Sequence, residues 1–265
     1  MLYPLSYERW ERGILTEGAT NGAGSGAEGA YIPAMDAGGL FVETRGDGSP
    51  IVFTHGFARD SRAWDHQAEA LAAEHLVVTW DLRGHGRSAP PPGPYTRDDA
   101  LADLAGVVDL AVAGGTGGSP AVLVGHSLGG YLSLAYTLGR PETVAGLVLL
   151  STGPGFRNPD SMAAYNRSIG KVAAAGNIAA DAAEVAVHRD SMVIDRLADI
   201  RCPVVVISGA DDLPIYQTGA KYLSERLPSA RLVVIDGAGH EPHLDRPDEV
   251  TAAVRAHPVL LGAGR

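Results

Sequence analysis

Short, almost continuously apolar runs recur along the chain, separated by longer stretches with helical periodicity. Such runs are typical of parallel strands buried on both faces of a sheet. We predict strands at 39–45, 51–54, 75–80, 121–124, 144–150, 204–207 and 231–235. We predict helices over 60–73, 97–113, 128–139, 215–226 and 247–256. This alternation predicts an α/β fold with a doubly wound, mostly parallel sheet.

Two segments depart from the alternation. Residues 1–34 include a Gly, Ala, Ser and Asn tract at 18–30, a composition typical of flexible linkers. We therefore expect a flexible N-terminal extension over 1–34 and a folded domain over 35–265. Residues from about 154 to 198 contain helical patterns but no predicted strand. Because ligands bind at the carboxyl edge of open α/β sheets, we expect this segment to form a small helical cap there.

Composition narrows the choice of partners. The 265 residues suit one α/β domain, and the net charge of −10 argues against nucleic acid, whose phosphates need clustered Lys and Arg. No run reaches the roughly 18 apolar residues of a membrane span, and the N-terminus lacks the apolar segment of a secretory signal. The single cysteine, Cys202, favours a reducing compartment. We expect a cytoplasmic protein that acts on a small molecule, with no nucleic-acid or membrane partner; a homo-oligomer is compatible with the sequence.

The most specific chemical motif is GHSLG at 125–129, which follows a predicted buried strand and precedes a predicted helix. This is the context of a GxSxG nucleophile elbow. Side chains at Gly125 and Gly129 would clash with neighbouring backbone in the sharp turn that exposes Ser127. A bare GxSxG also arises by chance in tight turns, but the strand and helix around it make Ser127 the predicted nucleophile.

A serine hydroxyl needs a base to take its proton and a carboxylate to orient that base. His240 follows the last predicted strand, where a loop can deliver an imidazole to the carboxyl edge of the sheet. His243 is a weaker alternative, and an ordinary surface histidine is the plain one. Asp211 and Asp212 both follow the preceding strand. We predict Asp212 as the acid and assign Asp211 to a turn or helix cap.

Two backbone donors are expected to stabilise the oxyanion: the N–H of Leu128 and the N–H of Phe57, in the motif HGF at 55–57. His55 is predicted to pack and hydrogen-bond beneath that loop. The motif DLRGHGRS at 81–88 is predicted to be structural, with Asp81 and Arg83 pairing or binding loop backbone. We expect no metal and no cofactor, because the chain lacks CxxC, HExxH, a phosphate loop, and a GxGxxG after the first strand.

Taken in order, HGF, DLRGHGRS, GHSLGG, GADDLP and GAGHEPHLDRP resemble the motifs of the α/β-hydrolase superfamily, over about 38–257. The order Ser, Asp, His along the chain is also that of the superfamily. The chain is most similar to small esterases, lactonases and enol-lactonases with a short helical cap. Ser127 at the elbow, in place of Asp, distinguishes it from haloalkane dehalogenases and epoxide hydrolases. The resemblance implies a serine hydrolase that cleaves an ester or lactone through an acyl-enzyme.

The same residues are compatible with other functions. One is hydrolysis of a carbon–carbon bond in a diketone-like substrate; perhydrolysis and a lyase reaction also fit. A different class is a non-catalytic ligand receptor on the same fold, which an ester assay would separate. Substrate choice is expected to depend on the cap. Phe57, Tyr131, Phe156 and Tyr165 are candidate substrate-binding residues, although packing alone would also explain each of them.

Overall fold

The computed structural model describes residues 39–88, 93–176 and 178–263, so the predicted extension over 1–34 lies outside the described residues. Seven strands form one sheet in the described ranges: β1 Val42–Arg45, β2 Ser49–Thr54, β3 His75–Trp80, β4 Ala121–His126, β5 Val144–Leu150, β6 Val204–Gly209 and β7 Ala230–Ile235. Their order is β1-β3-β2-β4-β5-β6-β7. Only the β1–β3 pair is antiparallel. The predicted α/β fold with a mostly parallel sheet is confirmed.

Helices cover both faces of the sheet. They are α1 Asp65–Leu71, α2 Arg97–Gly114, α3 Leu128–Gly139, α4 Pro159–Ala175, α5 Ala180–Ala183, α6 Met192–Asp195, α7 Pro214–Arg226, α8 Pro242–Asp245, α9 Pro247–Arg255 and α10 Pro258–Ala263. On one face, α2, α3 and α7 contribute to a core that includes Leu123 and Val206. On the other, α1, α9 and α10 contribute to a core that includes Val124 and Val205. Because strand residues alternate between faces, neighbours in one strand enter different cores. This double burial explains the continuously apolar strands.

Local signals in the sequence account for where several helices begin. Thr96 caps α2 through a reciprocal pair: its Oγ1 accepts from the N–H of Asp99 at 3.1 Å, and Asp99 Oδ2 accepts from the N–H of Thr96 at 2.8 Å. Asn158 caps α4, and Pro159 occupies its first turn, where proline is tolerated. Across the described ranges, no helix has the length and apolar character needed to cross a membrane.

The chain between β5 and β6 carries α4, α5 and α6. The amide of Asn166 in α4 donates to the carbonyl of His188 at 2.7 Å and accepts from its N–H at 2.9 Å, which ties α4 to the chain that leads into α6. Arg97, at the start of α2, forms two hydrogen bonds to the Asp190 carboxylate, at 3.1 and 2.8 Å. This segment is therefore fixed to the sheet domain by a forked ion pair.

The loop after β3 differs in one respect from its prediction. Asp81 binds loop backbone as expected, accepting from the N–H groups of Ser61 and Arg87 at 2.7 Å each. Arg83 does not pair with Asp81. Its guanidinium instead forms hydrogen bonds at 2.6 and 2.7 Å to the carboxylate of Asp103 in α2. Asp81 pairs instead with Arg87, whose Nε donates to Oδ2 at 3.3 Å, while Arg83 reaches the neighbouring helix.

Alanine at Gly106 and alanine at Gly209 should change the free energy of unfolding in opposite directions. A Cβ at the exposed Gly106, inside α2, would meet no atom within 4 Å, and alanine favours helix over glycine. We expect Gly106→Ala to raise the free energy of unfolding by about 0.5–1 kcal/mol. A Cβ at Gly209 would lie 2.1 Å from the carbonyl oxygen of Gly239, so Gly209→Ala should lower it by about 1–3 kcal/mol. Urea denaturation of both variants measures the two signs; the same sign for both would contradict the packing described here.

Candidate active site

Ser127 lies in a sharp turn between β4 and α3, with φ 50° and ψ −110°. Few residues other than glycine adopt a positive φ, because the Cβ atom crowds the backbone. The turn is possible because two glycines bring backbone into close contact. A Cβ at Gly125 would lie 2.4 Å from the carbonyl oxygen of Gly129, and a Cβ at Gly129 would lie 2.2 Å from that of Thr54. The predicted need for glycine at both positions is therefore a steric fact of the fold.

The neighbouring strand β5 supports this turn. The N–H of Ser127 donates to the carbonyl of Leu150 at 2.9 Å, and the Thr152 hydroxyl donates to the carbonyl of Ser127 at 2.7 Å. Leu128 is the first residue of α3, where N–H groups have no acceptor within the helix. Sequence reasoning missed Thr152; the available signal was its place directly after a strand adjacent to β4.

His240 and Asp212 form a pair in which the carboxylate is buried and the imidazole is 21% exposed. His240 Nδ1 lies 3.1 and 3.2 Å from the two carboxylate oxygens of Asp212, so this ring nitrogen donates and Nε2 is left to accept a proton. The carboxylate is fully buried and also accepts from the N–H of Leu213 at 2.7 Å. Asp211 is exposed, and its N–H donates to the carbonyl of Ala238 at 2.9 Å. Of the two candidate acids, the structure brings Asp212 to the imidazole.

His126, the residue before Ser127, holds the His240 loop against the elbow. His126 Nε2 donates to the carbonyl of His240 at 2.8 Å, and the two rings have their centroids 5.0 Å apart. The ring of Tyr216, in the first turn of α7, also packs against the His240 ring, and their centroids are 4.0 Å apart. Neither residue was predicted to take part in the site. Both contacts join elements remote in sequence, so the chain pattern carries little sign of them.

The HGF loop lies against the same elbow. A Cβ at Gly56 would lie 2.5 Å from His126 Nδ1 and 3.4 Å from the Cβ of Ser127. His55 is buried beneath the loop: its Nδ1 donates to the carbonyl of Gly56 at 2.7 Å, and its Nε2 accepts from the N–H of Leu82 at 2.9 Å. Burial, with the nearby His85, lowers the pKa of His55 to about 4. It is therefore neutral at pH 7, in agreement with a packing role.

The weaker candidate base, His243, is buried against another aromatic ring. Its buried ring stacks on Trp64 with centroids 4.3 Å apart, and burial lowers its pKa well below the usual value.

Ligand atoms of His243, His126 and Glu241 lie within 4.8 Å of one another, as in a metal site. However, the Glu241 carboxylate accepts two hydrogen bonds from Arg59, and His126 Nδ1 faces the backbone of Gly56. Arg59 therefore already neutralises the one carboxylate of this set, and we assign no metal to it.

Three of the four predicted pocket residues meet at one histidine. The rings of Tyr131, Phe156 and Tyr165 have their centroids 4.3, 5.4 and 5.0 Å from that of His188, which is buried. Phe57 is not part of this cluster; its ring packs edge-on against His85 at 5.4 Å. His188 was not predicted, because a lone histidine in an Ala-rich segment gives no sequence signal.

A mostly parallel sheet that carries a serine elbow after β4 and an acid–histidine pair after β6 and β7 is the arrangement found in α/β-hydrolases. The Alpha/beta hydrolase family matches residues 51–254 of the chain. The chain belongs to this family, and it is a hydrolase.

Two curated relatives align with most of the chain. A putative carbamate hydrolase RutD of Azorhizobium caulinodans is 28% identical over 245 residues, which cover 79% of this chain and 91% of the relative. A pimeloyl-[acyl-carrier protein] methyl ester esterase of Chromobacterium violaceum is 29% identical over 258 residues, covering 82% and 97%.

Two solved structures are also similar. A thermophilic esterase from Thermogutta terrifontis has a TM-score of 0.69 at 27% identity, covering 82% of this chain and 91% of that one. Est816, described as an N-acyl homoserine lactone degrading enzyme, has a TM-score of 0.68 at 28% identity, covering 82% and 95%.

Burial of His188 should make stability depend on pH. Burial, with the nearby Arg97 charge, lowers the pKa of His188 from 6.5 to about 4, so the unfolded chain takes up a proton at a pH where the folded protein does not. Stability from this residue is complete above pH 6.5 and is lost as the pH falls towards 4. Between pH 7.5 and pH 4.5, we expect the free energy of unfolding of His188→Phe to fall by about 1–3 kcal/mol less than that of the wild type.

Urea denaturation at the two pH values measures this difference. The control is His66→Phe, because the His66 ring is exposed and its 2.9 Å contact with the exposed Asp248 carboxylate is worth little. Parallel losses in the wild type and His188→Phe would show that other groups carry the acid sensitivity.

Proposed function

We propose that this protein is a serine hydrolase that cleaves a carboxylic ester or lactone of a small molecule through an acyl-enzyme. The observation that carries the proposal is the meeting of three loops. Ser127 stands in a strained turn, the Asp212–His240 pair is tied to the residue before it, and the HGF loop lies so close that a Cβ at Gly56 would meet the Ser127 Cβ at 3.4 Å. Each loop supplies one component that acyl transfer to a serine requires.

In the proposed reaction, Asp212 holds the Nδ1–H of His240, and Nε2 takes the proton from the Ser127 hydroxyl as its oxygen attacks the substrate carbonyl. The backbone N–H groups of Phe57 and Leu128 stabilise the oxyanion. His240 then protonates the leaving alcohol oxygen as the ester bond breaks and the acyl-enzyme forms. A water molecule, activated by His240, attacks the acyl carbon, and the proton returns to Ser127 as the acid is released.

The names of the relatives support this substrate class. They include a methyl ester esterase, a thermophilic esterase and a lactone-degrading enzyme. We propose that the segment at about 154–198 is a cap, and that Phe156, Tyr165 and Tyr131 form an apolar wall for the acyl group. We also propose that Phe57 contacts the substrate beside the oxyanion.

We also propose that the protein acts in the cytoplasm. Support comes from Cys202, the single cysteine of the chain, which is half-buried. A single cysteine cannot form an intramolecular disulfide, and this favours a reducing compartment.

Ser127→Ala should abolish hydrolysis of p-nitrophenyl acetate while leaving the melting temperature near that of the wild type. The glycine contacts that fix the turn do not involve the hydroxyl. The loss should be about 10⁴-fold or more in kcat. Retained turnover in the folded variant would exclude the serine mechanism, and an inactive wild type across esters and lactones would favour a receptor.

Asp212→Asn should lower kcat by about 10³–10⁴-fold, because an amide cannot hold the imidazole in the required tautomer. Asp211→Asn is the matched control, one residue away and exposed, and should stay within about threefold of the wild type. Steady-state kinetics on one ester compare the two variants. A greater loss in Asp211→Asn would move the acid to that residue.

Phe156→Ala and Tyr165→Ala should change substrate choice more than stability. If both rings line the acyl pocket, each change should alter the ratio of kcat/KM between acetate and butyrate esters by about 10-fold, the effect of a modest apolar pocket change. Specificity constants for acetate, butyrate and a bulky lactone, measured with melting curves, test this. Equal loss on all three, with a lowered melting temperature, would mean that both rings only pack.

A further inference from the structure

A forked ion pair joins two loops that are remote in sequence. Arg59 Nε donates to Glu241 Oε1 at 2.7 Å, and its Nη2 donates to Oε2 at 2.5 Å, across a separation of 182 residues. The Glu241 side chain is only 16% exposed and that of Arg59 34%. Two parallel charge-assisted hydrogen bonds fix both the distance and the relative orientation of the groups they join.

Arg59 closes the turn that carries Phe57. Its N–H donates to the carbonyl of Gly56 at 3.2 Å, so Gly56 to Arg59 forms one tight turn. Inside this turn Ala58 has φ 59°, a conformation that costs a non-glycine residue about 1 kcal/mol or more. A strained turn keeps its shape only if its surroundings hold it. The side chain of Arg59 anchors the turn at its carboxyl end.

Glu241 is the other end of the link, and it directly follows His240. Its carbonyl accepts from the N–H groups of Leu244 and Asp245, at 2.9 and 3.0 Å, so its backbone is fixed at the start of α8. Although burial opposes ionisation of Glu241, the hydrogen bonds from Arg59 hold its pKa below the usual value. The carboxylate is therefore charged near neutral pH, and the pair is intact there.

We propose that Arg59 and Glu241 are positioning residues, which hold the Phe57 N–H and the His240 imidazole in register on either side of Ser127. This inference rests on the proposed function, since it assigns those two groups to the oxyanion and to the base. Neither charge touches the substrate. The pair acts by keeping two parts of the site at a fixed separation, and a displacement of about 1 Å between such parts can lower the rate about 100-fold.

The test is a double-mutant cycle with Arg59→Met and Glu241→Gln, measured as kcat and KM on p-nitrophenyl acetate. We expect each single variant to lower kcat by about 10–100-fold with KM within about twofold, because the pair does not contact substrate. The double variant should lose no more than the worse single one, as expected for residues that act as a unit. Arg59→Lys, which keeps the charge but not the fork, should fall between the wild type and Arg59→Met.

The control is Arg140→Met with Asp109→Asn. These residues form a similar two-bond pair, at 3.0 and 2.9 Å, on the exposed surface outside the site, and their loss should leave kcat unchanged. Melting curves accompany all variants. A kcat within threefold of the wild type in either single variant, additive losses in the double one, or wild-type kcat in Arg59→Lys would each overturn the inference.

Failure of the proposed function looks different. Both proposals fall if the wild type hydrolyses no ester, or if Ser127→Ala keeps turnover. If the wild type is active, Ser127→Ala is inactive and the Arg59 and Glu241 variants retain kcat, only the positioning inference is wrong.

Discussion

The backbone at Ser127 is the constraint on which the rest of the site depends. A non-glycine residue at φ 50° costs about 1–3 kcal/mol, and surrounding contacts must offset that cost. The contacts come from two neighbouring strands. The end of β2 lies against Gly129, while Leu150 at the end of β5 and Thr152 just after it form hydrogen bonds to the Ser127 backbone. Because parallel strands end at one edge, a turn in β4 can be held from both sides. The position of the hydroxyl is thus set by the sheet and not by its own loop.

Burial keeps two of the histidines near this edge neutral. The pKa values of His55 and His126 are both lowered to about 4, chiefly by burial, so both rings are neutral at pH 7. His55 forms a hydrogen bond to the HGF loop, and His126 forms one to the backbone of His240. A neutral His126 leaves no second imidazolium beside Asp212. The carboxylate can then stabilise the positive charge that the proposed mechanism places on His240.

The central strands were predictable because a strand buried on both faces needs an unbroken apolar run. The strands β3 and β5 begin and end at the predicted residues. The elbow was predictable because its glycines have a steric cause local to the motif. The supporting contacts were not, since Thr152, Tyr216 and His188 act across loops that only the folded sheet brings together. Arg83 shows the limit most directly: Asp81 was the nearer acid in sequence, yet Asp81 pairs with Arg87 and Arg83 pairs with Asp103 in α2.

The strand order has a consequence for how the protein acquires its site. Arg59 and Glu241 meet across 182 residues, and β4 lies between strands that come before and after it in the chain. Contacts of such long sequence separation must close large loops before they return any stabilising energy, so they form slowly and late in folding. The loops around Ser127 can therefore assemble only after the last strand, β7, has docked. During synthesis on the ribosome, the proposed nucleophile would emerge long before the proposed base, and the half-made chain would carry no assembled site.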